Sequence, residues 1–416
     1  MEGSLSQGLA AEIDSRAAAI ESRLIAWRRD FHQHPELSNR ETRTAKLVAE
    51  HLQKLGMSVQ TGVGHTGVVA VLQGARPGPV VALRADMDAL PVEEEVDLPF
   101  ASKVRTVYEE QEVGVMHACG HDAHTAILMS VAEIFAAMRQ QLRGTVKFIF
   151  QPAEEGPPRG EEGGAGLMIK QGVLENPAPE AIFGLHVIAG IESGKVAYRP
   201  GPTMASGDVI RITVHGRQTH GAFPWMGVDP VVVASQIVMG LQTIQSRQVD
   251  VTLEPSILTI SCIHGGVRAN IIPDTVKMVG TVRTFNETMR HDLHRRIKTT
   301  AEMIAKSAGA SAEVEIDATY GVTINDPALT ERMAPTLRRV AGEGNVFIAP
   351  KLTGSEDFSK YQERIPGLFF FVGVTPKGAD PKRTAPNHSP QFYVDEAALL
   401  LGVRALAHLA VDYLES

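Results

Sequence analysis

Short, valine-rich runs bounded by glycine and proline alternate along the first half of this chain with segments whose apolar residues return every three or four positions. Few architectures accept that alternation. Gly67–Leu72, Val80–Arg84, Thr145–Phe150 and Ala181–Leu185 are apolar almost throughout rather than at every second residue, the pattern of strands buried on both faces. Between and before them lie helical repeats. Leu9, Ile13, Ala17, Ile20, Leu24, Trp27 and Phe31 predict one long opening helix on the surface. A second helix is expected from Glu41 to Leu55, ended by Gly56. Residues 123–142 place Ile127, Val131, Ile134, Phe135, Met138 and Leu142 on one face, and a shorter helix is expected near Gly164–Gly172. The fold class that follows is α/β, a mixed sheet covered by helices on both faces.

At 416 residues the chain exceeds one ordinary core, and its texture changes near Tyr198. After a hinge at Arg199–Pro202, the pattern predicts strands at Asp208–His215, Ser256–His264, Thr275–Thr284 and Ala312–Asp317, with helices at Asp229–Arg247 and Glu287–Ala308. That β-α-β-β-α-β order is the one used by ferredoxin-like modules. The reading is an inserted α+β domain over 198–318, with 1–197 and 319–416 forming the other domain. Beyond Asn325-Asp-Pro the alternation resumes: a helix, a strand at Asn345–Ile348, the very apolar Leu368–Val374, and a terminal helix from about Val394.

Composition removes several classes of function. Hydrophobic residues make up 44% and charged residues 21%, ordinary for a globular protein and unlike disordered chains. A formal net charge of -8 without a dense Lys/Arg run gives no footprint for nucleic acid. No uninterrupted apolar run reaches the ~18–20 residues of a membrane span, so no membrane partner is expected. The N-terminus lacks the basic-then-apolar order of a secretory signal. With only Cys119 and Cys262 there is no disulfide framework, and a cytoplasmic setting is expected.

The chemistry concentrates in His117–His124 (HACGHDAH), where a thiol and three imidazoles crowd together. Thiolate and neutral imidazole are the ligands preferred by borderline-soft divalent metals. Four more patches follow strands, where ligands collect in open α/β sheets. Asp86 and Asp88 come after Val80–Arg84, Glu154 and Glu155 after Thr145–Phe150, His186 ends Ala181–Leu185, and His388 precedes the last helix. Taken singly, each has an ordinary reading as a turn, a solvated loop or a structural histidine. Together, Cys119, His121, Glu155, His186 and His388 are too many ligands for one tetrahedral site with an open position, and suit two metals sharing a ligand. Adjacent acids then divide into one ligand and one proton carrier. The glycine-rich Gly160–Gly166 lacks the Lys-Ser/Thr of a phosphate loop and carries two acids, so it reads as a flexible loop. A thiol hydrolase with Cys119 as nucleophile would leave the paired acids and His388 unexplained.

On these residues the chain resembles the co-catalytic dizinc amidohydrolases of the aminoacylase and carboxypeptidase-G type, and within them the hippurate hydrolase and indole-acetyl-amino-acid hydrolase branch. The motifs are Trp27–Glu36, Ala85–Pro91, His117–His124, Gln151–Gly156, Gly184–His186, Ala269–Asp274, Thr353–Phe358 and Asn387–Pro390. The resemblance implies that Cys119 bridges the metals, with His121 and His186 on one ion and Glu155 and His388 on the other. Glu154 would be the general base, and Asp88 would orient a ligand from behind. Relatives in other branches carry a ligating histidine where this chain has Asp86, and a bridging aspartate where it has Cys119. The inserted domain would be a lid that also mediates dimerisation or higher homo-oligomers. Its His220 would reach the partner subunit's site to polarise the scissile carbonyl; Asn270, Arg283 and Gly354 would contact substrate. The implied reaction is hydrolysis of an N-acyl amino acid, hippurate-like, N-acetyl or N-aroyl. The implied cofactors are two divalent metal ions per subunit, zinc first, with manganese, nickel or cobalt as alternatives. A metallo-carboxypeptidase or dipeptidase, or a non-catalytic ligand-binding relative, would use the same residues.

Overall fold

The computed structural model describes residues 2–416, which fold into two compact units. The first comprises the chain through Gly201, Asn325–Pro350 and Lys360–Ser416; the second comprises Pro202–Ile324 and Lys351–Ser359.

The first unit is built on an eight-stranded mixed sheet in the order Ser58–Val63, Gly67–Gln73, Arg143–Gln151, Arg76–Asp86, Ala181–Glu192, Gly367–Thr375, Val196–Tyr198 and Val346–Ile348. Its central strands run parallel: Arg76–Asp86 pairs with both Arg143–Gln151 and Ala181–Glu192, and the latter pairs with Gly367–Thr375. All nine residues of Gly367–Thr375 are buried, which is why that run carries no polar alternation. The opening helix, Glu2–Gln33, buries Leu9, Ile13, Ala17, Ile20, Leu24 and Phe31 against the helices His121–Ala137 and Leu399–Glu415.

Two helices differ from their sequence expectation. The third helix stops at Ala137 rather than 142: beyond it the N–H groups of Arg139, Gln141 and Leu142 turn to carbonyls three residues back, those of Ala136, Met138 and Arg139, so the four-residue ladder gives way to tight turns. The last helix begins at Leu399, after a short 3-10 turn whose cap, Asp395, accepts from the Ala397 N–H at 3.2 Å. Glu396–Glu415 has the length and apolarity of a bilayer span, with a mean hydropathy of 1.5 in its most apolar window. Yet 78% of that window is buried inside the protein, as expected of a helix packed on several sides.

The second unit has a four-stranded antiparallel sheet in the order Ser256–Gly265, Thr275–Thr284, Gly207–His215 and Ser311–Tyr320. With helices Pro230–Arg247 and Glu287–Ser307 this is the ferredoxin-like arrangement. Both helices are capped as their sequences suggest: Asp229 accepts from Val231 N–H, and Asn286 from Met289 N–H. Its core is separate, formed by Ile210, Ile212, Val214, Ile237, Leu241, Leu293, Ile297 and their neighbours.

Candidate metal centre

The parallel strands of the first unit deliver their chemistry at their carboxyl ends. Asp86 closes Arg76–Asp86, Gln151 closes Arg143–Gln151 three residues before Glu154, and His186 lies within Ala181–Glu192. Cys119 occupies the turn before the helix that opens at His121. Gly120 between them has φ 89°, and a Cβ there would lie 2.3 Å from Val187 Cγ2, so only glycine serves this turn. His388 is held from a distant loop: its N–H donates to Ala118 O at 2.7 Å. Beside it, the Asn387 amide donates to Cys119 O at 3.2 Å and Val187 O at 3.1 Å.

This scaffolding brings all five ligand candidates and Glu154 together. Donor atoms of Cys119, His121 and His186 lie within 4.8 Å of one another, as do those of Cys119, Glu155 and His388, so the thiol is common to both groups. Its Sγ is 3.4 Å from His186 Nε2 and 3.2 Å from His388 Nε2. His388 Nε2 is 3.0 Å from Glu155 Oε1, and Glu154 Oε2 lies 3.9 Å from His121 Nε2.

The outer nitrogens are fixed so that the inner ones point at the cluster. His121 Nδ1 lies 3.2 Å from Asp88 Oδ1, and its buried Nε2 has no hydrogen-bond partner among the described residues. His186 Nδ1 donates to Val187 O at 2.7 Å. That is how a protein presents imidazole lone pairs to a metal. Asp88 also accepts the N–H groups of Glu154 and Glu155, at 3.1 and 3.0 Å, and the Ser38 hydroxyl at 2.7 Å.

The other members of His117–His124 do different work. Val187 N–H donates to His124 Nε2 at 2.8 Å, so His124 Nδ1 carries the proton given to Asp86 at 2.6 Å. Asp86 is also paired with Arg84 at 2.6 Å. Asp122 points back to Arg28 and His32 of the opening helix, at 2.9 and 2.8 Å. Neither nitrogen of the buried His117 has a hydrogen-bond partner among the described residues. The support residues Ser38, Arg84 and Asn387 carry no spacing that marks them in sequence; only the Asn-His-Ser-Pro grouping hints at Asn387.

Electrostatically the cluster is short of positive charge. Burial, reinforced by Glu155, Glu154 and Asp86, pushes the Cys119 thiol well up. Burial drives His186 well down, leaving it neutral. At His121 burial opposes protonation, but Asp86 and Asp88 overcome it and push the imidazole up to about 10. The hydrogen bond to Glu155 raises His388 despite burial. A site that draws protons onto its ligands is one that a divalent cation satisfies by displacing them. The donor set of thiol, imidazole and carboxylate, with the unpartnered His121 Nε2, fits two such ions.

The remaining candidates lie in the second unit, in two places. His220 pairs with Ile271 in a two-stranded ribbon, and Gly221 N–H donates to Asn270 O at 2.8 Å, so His220 and Asn270 are neighbours. The Arg283 guanidinium donates to Ser355 Oγ at 2.6 Å, which brings it beside Gly354.

The family model for peptidase family M20/M25/M40 matches residues 82–412. The chain belongs to the M20/M25/M40 peptidase family. Thermostable carboxypeptidase 1 of Saccharolobus solfataricus is 41% identical, over 95% of this chain and 96% of that protein. IAA-amino acid hydrolase ILR1-like 4 of Arabidopsis thaliana is 38% identical, over 94% and 86%. Among solved structures, a dinuclear metal binding peptidase of the M20 family from Bacillus subtilis superposes with a TM-score of 0.78 at 36% identity, covering 96% of this chain and 99% of that one. This M20 protein is therefore a metal-dependent hydrolase of amide bonds, with a place for two divalent ions.

Proposed function

We propose that the protein hydrolyses N-acyl amino acids, using His121 and His186 on one ion, Glu155 and His388 on the other, Cys119 between them, and Glu154 as general base. The observation that carries this reading is the pair of donor groups sharing one thiol, with a further buried carboxylate, Glu154, close to His121 and outside both of those groups. When bound, two divalent ions lower the pKa of an intervening water and draw electron density from the scissile carbonyl. A thiolate bridge suits zinc, with manganese, nickel or cobalt as alternatives.

The chain's own residues supply the rest. Glu154 takes the proton of the attacking water and returns it to the nitrogen of the departing amine. Asp88 holds both the His121 ring and the Glu154–Glu155 backbone. The second unit acts as lid and dimerisation domain, with His220 polarising the carbonyl from the partner subunit. Arg283 and Asn270 receive the free carboxylate, a task suited to guanidinium and amide donors, while Gly354 lets backbone approach. Dimerisation is supported by the edge strand Ser256–Gly265, which exposes Ile257 and Ile263, and by exposed Val232 and Met239 on the helix Pro230–Arg247. A cytoplasmic setting would keep Cys119 a free thiol.

The similarity to a carboxypeptidase favours a second reading in which the acyl group is itself a peptide. A panel of N-acetyl, N-benzoyl and N-indoleacetyl amino acids alongside dipeptides, followed by amine release from zinc- and manganese-loaded protein, separates the two. Glu154→Gln is expected to keep its metal and lose about 100-fold or more in turnover. Wild-type turnover in that variant would remove Glu154 from the mechanism.

A further inference from the structure

Among the buried acids to which the mechanism above gives no task, Glu41 lies against the backbone beside Glu154. Glu41 stands at the start of the helix Thr42–Lys54, and its side chain is fully buried. Its Oε1 accepts the N–H of Asn39 at 3.0 Å and the N–H of Ala153 at 2.9 Å, while its Oε2 accepts the Thr66 hydroxyl at 2.5 Å. No ion pair engages it among the described residues. Burial and the like-charged Asp88 push its carboxyl up to about 7. A carboxyl enclosed this way is expensive, and it is kept only where the hydrogen bonds it accepts hold something in place.

What Glu41 grips is the residue directly before the proton carrier. Ala153 has φ 52°, a left-handed conformation that alanine adopts only when its surroundings insist. The next two N–H groups, of Glu154 and Glu155, are taken by Asp88. Two buried carboxylates thus hold three consecutive amides, one on each side of the turn that aims Glu154. Close packing shuts the other exit: a Cβ on Gly163 would come within 3.2 Å of Ala153 Cβ and 2.9 Å of Asn39 Oδ1. If the Ala153 amide were released, relaxation of φ to a negative value would re-aim the peptide carrying both Glu154 and Glu155.

We propose that Glu41 is a positioning residue for Glu154: its Oε1, by accepting from Ala153, locks the left-handed turn that points the general base at the reacting water. This rests on Glu154 being the base. Glu41 belongs to neither donor group, so its effect should fall on the chemical step rather than on binding.

The test uses metal-loaded, full-length protein and the best substrate from the panel above. Glu41→Ala is expected to lower kcat by about 30-fold or more with KM within about threefold, because small misplacements of a reacting group are costly while binding is untouched. Two metal ions per chain should remain. Glu41→Gln retains an acceptor oxygen at the same reach, and kcat is expected within about threefold of wild type. A Glu41→Ala protein with unimpaired kcat, or Glu41→Ala and Glu41→Gln proteins equally damaged, overturns the proposal. Should Glu41→Ala fail to fold, Thr66→Val loosens the same carboxyl from its far side; a fall in kcat of about fivefold at constant KM supports the proposal, and no change overturns it. Failure of the underlying reading looks different. An active Glu154→Gln protein removes the base and this proposal together, whereas an inactive Glu154→Gln beside a fully active Glu41→Ala removes only this one.

Discussion

Two buried charge clusters in this protein, one in each unit, show opposite bookkeeping. In the second unit Asp208 is 1% exposed, and both its oxygens are engaged by Arg290 at 2.6–3.1 Å and by His294 at 2.7 Å. Arg290 is in turn shared with Glu287, whose carboxylate accepts the Val322 N–H. Every charge there has a fixed opposite. In the first unit, among the described residues, the groups that can carry positive charge beside Glu155 are imidazoles, His388 at 3.0 Å and His121 at 4.0 Å, and Cys119 likewise faces His186 and His388. A guanidinium cannot give up its charge near neutral pH, but an imidazole can. The Asp208 cluster is therefore a closed staple, and the Cys119 cluster holds its acids with protons that a metal can replace.

The comparison breaks most visibly at His121. His121→Ala is expected to bring metal content below two ions per chain and cut turnover by about a thousandfold or more while leaving the protein folded. Elemental analysis with steady-state assay checks it; wild-type metal content would mean that the cluster needs no such ligand. A smaller effect of a different kind is expected from Arg290→Leu, which strands Asp208 without its guanidinium. It should destabilise the protein by about 3–5 kcal/mol, with metal content unchanged and with much of the loss recovered in the Asp208→Leu/Arg290→Leu double variant. Denaturant melts of the single and double variants decide this. A neutral Arg290→Leu would show that the staple contributes nothing.

These clusters also mark what the sequence could and could not disclose. The apolar runs foretold the central strands because burial on both faces leaves no ambiguity, and Gly367–Thr375 differs from its predicted span by one residue at each end. The metal candidates were legible because thiol, imidazole and paired acids converge from strand ends. The hairpin Arg105–Gly114 and the strand Ser58–Val63 were not: both are mostly exposed, so no hydrophobic period announces them. His124 sits in the histidine-rich segment like a ligand, yet its ring is held by Asp86 and Val187, which are distant along the chain. Glu41 was hidden for the same reason, being 112 residues from the amide it holds.

The smallest expected effect separates the clusters by pH. His121 has its folded pKa raised to about 10, above an ordinary 6.5, so its contribution to the metal-free protein is complete below about 6.5 and is lost as pH climbs toward 10. Cys119 and Glu41, acids whose folded pKa values are raised, push the same way, since their ionisation is resisted only in the folded state. Asp208 is the reverse case. Despite burial, His294 and Arg290 hold its carboxyl below 3.8, so its contribution is intact above that value and fails only as pH falls beneath it. Metal-free protein should accordingly lose thermal stability between pH 6.5 and 10, and metal binding should tighten over the same interval as fewer protons need displacing. Loaded protein, whose ligands can no longer hold those protons, should show the weaker slope. Equal slopes for loaded and metal-free protein would mean that the acids of the Cys119 cluster are balanced from within, as those around Asp208 are.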